Sequence, residues 1–439
     1  MSALAAGRGI SLPSQASGAA ALAAHTSGAY ARVRRQFDLP VGRFEGVQAR
    51  LGRLASEAYA LDAARRLTCA GLDEGRALAV ISGIMKAHAT YRMRDAVNDA
   101  MDIHGGKTVI DGPRNYLGPL HRGVPIGITV EGANILTRNL IIYGQGATRC
   151  HPYLLDEMLA LEEEDDEEAI EKFDRAFWAH VRHAVATFGR AVGRAWTGAA
   201  LAPAPKGAGP LKRHYRRISR YSAAFALSSE LALLALGGSL KRREMISARL
   251  GDMLSELYFL SALLKRWEDE GRQKEDLPLV HHAAEAGFAR LRTSLDEIAA
   301  NFPSAWVRPL LRTATLAGGS AGGPSDDLTR ECAELLLSPS DTRDRIVSGI
   351  HRGCEKDAMR MLDDAFDGIV ATEDLRRRLK KTGETAAEAR ESGTLTPDQA
   401  AAVEAAEAAV AEVVTVDAFA PDRVMHGGAI PPKPKEAAE

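Results

Sequence analysis

The 439-residue sequence is poor in aromatic residues, at 5%, and contains only four cysteines. Cys69, Cys150, Cys332 and Cys354 are scattered without paired spacing, which argues against a disulfide framework or a Cys-x-x-Cys metal site and predicts reduced thiols. A dominant charge is also lacking: 56 Lys and Arg face 58 Asp and Glu, a net charge of -2. The basic field of a nucleic-acid binder is therefore absent at the level of the whole chain. No apolar core long enough for a signal peptide precedes Arg8, so the expected location is cytoplasmic. The nearest approach to a membrane span, 221–240, carries Glu230 in its middle and several Ser and Gly, and predicts a buried helix instead.

Helical periodicity is plentiful. Leu22, Thr26, Ala29 and Val33 fall at alternating steps of four and three, as do Phe44, Val47, Leu51, Leu54, Ala58 and Leu61. A third stripe runs from Leu78 through Ile81, Met85, Ala89 and Met93 to Ile103. Each is apolar on one side only, and the short breaks at 38–42 and 71–75 make sequential neighbours antiparallel, so the region predicts a helical bundle. Gly105 and Gly106 stop the third helix. The run VPIGITV at 124–130 is β-branched and short, and predicts an extended entry into a helix over 132–143. Beyond His151 come an acidic run at 162–168 and a Pro/Gly/Ala-rich linker at 197–210. Two further apolar stripes follow, from Ile246 to Trp267 and from Ala284 to Phe302, and Thr396-Pro397-Asp398-Gln399 has the form of a capping box. The expectation is an all-α protein with a four-helix-bundle-like region over 1–150. An acidic helical segment and linker occupy 151–210, a second helical domain 211–420, and a disordered tail 421–439.

Glu131 closes the β-branched run. Read locally, it is a first-turn acid that caps a helix and is favoured by the helix dipole. A general base for a weakly acidic carbon also needs an apolar setting, which Ile126, Ile128, Val130, Ile135 and Leu136 would supply. His180 and His183 share a helical face but have no acid at a fixed offset, so no metal site is assigned, and His281 and His282 read as ordinary histidines. Lys212, Arg213, Arg216, Arg217 and Arg220, with Lys241, Arg242 and Arg243, bracket the apolar 221–240 stretch. They read first as a solvated face, with a peripheral anionic membrane or a coenzyme A phosphate as alternatives.

Several motifs occur together in a fixed order. They are GRGISLPS at 7–14, Arg34-Arg35-Gln36-Phe37, Phe44-Glu45-Gly46-Val47-Gln48, Asp102-Ile103-His104-Gly105-Gly106 and GVPIGITVEGANILTR at 123–138. The set resembles the acyl-CoA dehydrogenase family, in particular the C-terminal part of its bacterial long-chain fatty acyl-CoA branch, which has an extra C-terminal helical domain. KRREMISARLGDMLSELY at 241–258 and GRQKEDLPLV at 271–280 extend the resemblance over nearly the whole chain. It implies FAD as cofactor and Glu131 as the base that takes the α-proton of a fatty acyl-CoA, giving a trans-2-enoyl-CoA. Gly132 matches the small residue beside that base. Arg34, Gln36, Phe37, Gly105 and Gly106 match positions that contact the flavin's adenine and pyrophosphate ends, which reach a neighbouring subunit, so a homo-oligomer is implied. Electron-transfer flavoprotein is the implied electron acceptor. Asp102 and Ala133 stand where a glutamine and a threonine are common. Some relatives carry the base on the first helix of this domain; here 18–36 contains no acid, leaving Glu131. The family's N-terminal helical and middle β domains find no counterpart in the sequence, so flavin binding and turnover are expected to need a longer protein. A helical accessory subunit without catalysis and an acyl-CoA oxidase remain alternatives.

Overall fold

A computed structural model describes residues 2–146, 151–319, 321–354 and 357–419; Cys150 and the tail expected over 421–439 lie outside them. The first stripe forms α1 (Ser2–Val33), followed by a hairpin of β1 (Arg35–Gln36) and β2 (Leu39–Pro40). Next come α2 (Glu45–Asp73), α3 (Ala79–Ile84), a π-helical turn Met85–Ala89 and α4 (Thr90–His104). α5 (Gly106–Val109), α6 (Gly118–Thr129) and α7 (Asn134–Leu136) lead into a second π-helical stretch, Thr137–Gln145.

The β-branched run at 124–130 is helical rather than extended as far as Thr129, as the last two turns of α6. Packing overrides propensity there. Val124 is buried, and Gly127 lies against α4, where an added Cβ would sit 3.3 Å from Met93 Cε and Thr90 Cγ2.

After α8 (Leu154–Ala160), Asp165 caps α9 (Asp166–Trp196), its Oδ1 accepting from the amides of Glu167 and Glu168, so the acidic run loads a helix N-terminus. The 197–210 stretch is irregular but packed, with Ala199, Ala202 and Ala208 buried. α10 (Lys212–Leu236) contains most of the 221–240 stretch. By length and composition it passes as a membrane span, yet Tyr221, Leu227 and Leu231 are buried in the protein core. α11 (Glu244–Asp269) and α12 (Leu277–Asn301) carry the two later stripes, followed by α13 (Val307–Thr315), α14 (Asp326–Leu337) and α15 (Asp341–Ile346). α16 (Ala358–Ala371), α17 (Glu373–Thr382), α18 (Ala386–Glu391) and α19 (Pro397–Val414) complete the chain, with the capping box formed between Thr396 and Gln399.

One core joins the two helical regions. Leu51, Leu54 and Tyr59 of α2 share it with Met253 and Leu260 of α11, Leu291 of α12 and Leu336 of α14. Each such side chain contributes about 1.5–3 kcal/mol on burial. Small residues set the spacing, because a Cβ on Gly28 would lie 2.5 Å from Leu336 O and one on Gly52 2.4 Å from Thr329 O. α14 therefore rests directly on α1 and α2. A buried ion cluster ties the same layers: Arg92 of α4 pairs with Glu57 of α2 (2.8 Å) and Glu256 of α11 (2.6 Å). Arg290 of α12 reaches both acids at 3.3 and 2.9 Å. A smaller cluster packs α16 and α19 against Ala29, Tyr30 and Val33 of α1.

Candidate active site

Glu131 occupies the turn between α6 and α7. Asn115 starts α6 by accepting from the amides of Leu117 and Gly118 (3.2 and 2.7 Å), and the helix closes with the Val130 amide bonded to Ile126 O. Glu131 follows with φ +54° and Gly132 with φ +96°, a left-handed region easy for glycine and strained for glutamate. The expected place in a first helical turn is thus corrected: Glu131 lies between the Val130 C-cap of α6, where the dipole disfavours an anion, and the Ala133 N-cap of α7, and the helix expected from 132 starts only at Asn134.

Lys86, which sequence reasoning missed, compensates. Its side chain is fully buried, and its ammonium donates to Ile128 O (3.0 Å), Gly132 O (2.6 Å) and Asn134 Oδ1 (2.6 Å). All three donors are used, so both flanks of Glu131 and the start of α7 are tied to one point. Burial pulls the Lys86 pKa down to about 8, the Glu131 carboxylate opposes that shift, and Arg8 adds to it. Lys86 stands on the first π-helical turn, where the Thr90 hydroxyl donates to Lys86 O and reaches Ala87 O, which also accepts from the Thr90 amide and Asn134 Nδ2. Such turns recur at functional sites.

The Glu131 carboxylate has one hydrogen-bond contact, from the Ser11 hydroxyl to Oε1 at 3.3 Å, whose single proton is shared with Gly7 O at 2.9 Å, while Oε2 is buried with no partner. One fixed oxygen and one free oxygen suit a proton acceptor. The apolar residues expected to bury it instead form a collar open to solvent, with Ile126 and Ile135 at 59% and 73% exposure.

The residues matched to the cofactor gather elsewhere. Phe37 and Asp38, with φ +50° and +60°, form the two-residue turn of the hairpin after Gln36. Asn-Gly is usual in such a turn, and here it projects Phe37, 88% exposed, into solvent. Gly105 (φ +60°) and Gly106 are exposed, with nothing within 4 Å of an added Cβ, so their main chain is open to approach. Tyr30 stacks on His104 at 4.4 Å and its carbonyl accepts from the Arg34 amide. Arg34, Gln36, Phe37, Gly105 and Gly106 therefore share the C-terminal end of α1. Glu131 and Gly132 lie near its other end, beside Ser11. The roughly 19 helical steps from Ser11 to Tyr30 span about 28 Å.

A second polar cluster needed the fold to become visible. Glu230 accepts from His151 Nε2 (3.1 Å) and His180 Nε2 (3.0 Å), His183 Nε2 lies at 3.6 Å, and His180 Nδ1 donates to Glu157 (2.7 Å). Burial lowers the His180 pKa, but Glu230 and Glu157 outweigh it and the net shift is upward. Ligand atoms of His151, His180 and Glu230 fall within 4.8 Å of one another. His151 Nδ1, however, accepts from the amides of Tyr153 and Leu154, which assigns its proton to Nε2 and makes it a donor to Glu230. The cluster caps an apolar cavity of about 760 Å³ bordered by Ile81, Phe225 and Leu257.

Comparison with known proteins accords with this helical architecture. Residues 148–419 match the family described as acyl-CoA dehydrogenase, C-terminal, bacterial type, and residues 1–144 match the acyl-CoA dehydrogenase C-terminal domain. The chain belongs to the acyl-CoA dehydrogenase family. Its fold is similar to that of an acyl-CoA dehydrogenase complexed with FAD from Bacillus anthracis, at 17% identity and a TM-score of 0.58, covering 76% of this chain and 55% of that one. Arabidopsis thaliana acyl-CoA oxidase 1 is similar at 15% identity and a TM-score of 0.52, covering 86% of this chain and 54% of that one. The chain spans about half the length of these solved structures.

Proposed function

We propose that this chain provides the catalytic base of a fatty acyl-CoA dehydrogenase. Glu131 removes the α-proton of the thioester, and loss of the β-hydrogen as hydride leaves a trans-2-enoyl-CoA. The observation that carries this reading is the partnerless Oε2 of Glu131, held in a strained turn that Lys86 fixes from both sides. Ser11 orients the other oxygen, and the exposed apolar collar offers a surface for the acyl chain. Bound FAD, present in the Bacillus anthracis relative, supplies the hydride acceptor. Gly132 leaves the main chain beside the base without a side chain. Arg34, Gln36, Phe37, Gly105 and Gly106 offer a cation, an exposed aromatic ring and open main chain suited to the nucleotide end of a flavin. Their place at the opposite end of α1 from Ser11, about 28 Å of helix away, favours service to a neighbouring subunit's flavin, and hence a homo-oligomer. In this reading the remaining flavin and acyl contacts come from residues outside this chain, and electron-transfer flavoprotein accepts the electrons.

The test is Glu131→Gln in the longer protein that contains this chain, loaded with FAD and assayed with palmitoyl-CoA and an artificial acceptor. Turnover should fall by about 10²–10⁴-fold, the contribution of a positioned base, with flavin content unchanged. Near-normal turnover would sink the assignment. Peroxide formation under oxygen would mark an oxidase, and flavin binding without any turnover in the wild type would mark an accessory subunit.

A further inference from the structure

The first turns of α10 hold a charge arrangement that the fold does not neutralise. Lys212, Arg213, Arg216, Arg217 and Arg220 follow one another with no acid in 211–220. They sit at a helix N-terminus, the end where the dipole disfavours cations. All five line a single open cavity of about 460 Å³, bordered also by Gly198, Ala199 and Gly318, and no carboxylate is among its lining residues.

Only part of this charge has a partner within the protein. Arg217 pairs with Glu285 at 2.5 Å and lies over the Phe288 ring at 3.9 Å. Arg220, buried, donates to Ala317 O (2.5 Å) and Gly318 O (3.2 Å), the carbonyls beyond α13. Among the described residues no carboxylate pairs with Lys212, Arg213 or Arg216. The Nε groups of Arg216 and Arg220 are buried and have no hydrogen-bond partner. Burial, together with Arg292 and Arg217, pulls the Arg220 pKa down, and burial with Arg190 does the same at Arg194 behind it. Guanidinium groups lining one cavity, with unspent donors and a single carboxylate, Glu285, paired to Arg217 among five cations, match a multiply charged oxyanion, which arginine binds in bidentate fashion.

We propose that this cavity is a binding site for a phosphate-bearing anion of two or more negative charges, with Arg213 and Arg216 as its principal free ligands and Arg220 at its floor. The site is separate from the Glu131 turn and does not depend on the chemistry proposed there. Free phosphate compounds and the headgroup of an anionic lipid share this chemistry.

Titration calorimetry of the full chain with pyrophosphate tests the proposal, using Arg213→Gln and Arg216→Gln, neither of which breaks a protein ion pair. Arg175→Gln, on the exposed face of α9, controls for non-specific charge. The expected result is saturable one-to-one binding, weakened on the order of tenfold by Arg216→Gln and unchanged by Arg175→Gln. Flotation with phosphatidylcholine vesicles, with and without phosphatidic acid, identifies the source. Flotation that needs both phosphatidic acid and Arg216 supports a lipid headgroup, whereas pyrophosphate binding without flotation supports a free phosphate compound. No saturable pyrophosphate binding, or equal affinity in Arg216→Gln and wild type, overturns the site.

Discussion

Glu57 offers the sharpest test of how the two helical regions are joined. Burial raises the pKa of its carboxyl, but Arg92 and Arg290 outweigh burial and hold it near 2, against 4.5 for an unperturbed glutamate. A folded-state pKa below the unfolded value contributes stability that is present above the unfolded pKa and lost as pH falls through the folded one. The shift of about 2.5 units corresponds to about 3 kcal/mol at neutral pH, faded almost entirely by about pH 2. Glu57→Gln removes that titration and leaves Arg92 and Arg290 short of one carboxylate, so at neutral pH the variant should be less stable by about 3 kcal/mol. Urea unfolding followed by circular dichroism, on wild type and variant from about pH 7 to about pH 3, reads the difference directly. It should be full above about pH 4.5 and shrink steadily below it. A difference that stays constant across the range, or is absent at neutral pH, would refute the claim that this ion cluster carries the junction.

Lys86→Met strips Ile128 O and Asn134 Oδ1 of the ammonium and leaves Gly132 O only the Thr137 hydroxyl, so hydrogen exchange of the Val130 and Thr137 amides, which flank the turn, should accelerate by the equivalent of about 1–3 kcal/mol; unchanged exchange would mean the turn holds itself. His180→Gln should destabilise the protein fully below pH 6.5, with the difference fading as pH rises through the raised His180 pKa, a trend that urea midpoints across that range would check. Gly28→Ala places a Cβ 2.5 Å from Leu336 O, so calorimetry should show a loss of about 1–3 kcal/mol as α14 is pushed off α1.

What could be read from the sequence follows the range of the interactions involved. The α2 stripe was legible because Leu51, Leu54, Ala58 and Leu61 repeat at local helical spacing, but its burial is not one-sided as that stripe implied: Ala55, Ser56, Tyr59, Ala60 and Ala63 are buried as well, because α11, α12 and α14 also cover this helix. The helix at 124–129 was not, because its β-branched propensity is overridden by Met93 and Thr90, more than thirty residues away in the chain. Glu131 was found through its motif, but its setting was misjudged: a left-handed φ at a glutamate leaves no compositional trace except the glycine beside it. Lys86 was invisible for a related reason. It lies between Met85 and Ala89 of a recognised apolar stripe, and its role depends on carbonyls 42 and 46 residues further on. A lysine inside an otherwise apolar helical face was the available signal. Likewise, His180 has no acid at a helical offset, and its partner Glu230 arrives from α10, fifty residues later.

The second helical region also bears on the candidate base. The stretch that follows Glu131 is not held by Lys86 alone: Arg138, seven residues on, forms a two-pronged ion pair with Asp252 of α11 at 2.7 and 2.5 Å. Gly251 beside it permits the approach, because a Cβ there would lie 3.3 Å from Arg138 O. His88, two residues after Lys86, lies 3.6 Å from the same Asp252, and burial keeps it neutral with a pKa near 4. The stretch from the Glu131 turn to Arg138 is thus held between the Met85–Ala89 turn and α11, and α11 is locked to α2 and α4 through Glu256, Arg92 and the shared core. A strained left-handed glutamate persists only where its surroundings over-determine it. Here that determination comes from both sides of the sequence, so the later helices are part of the scaffold that presents Glu131 rather than an appendage to it.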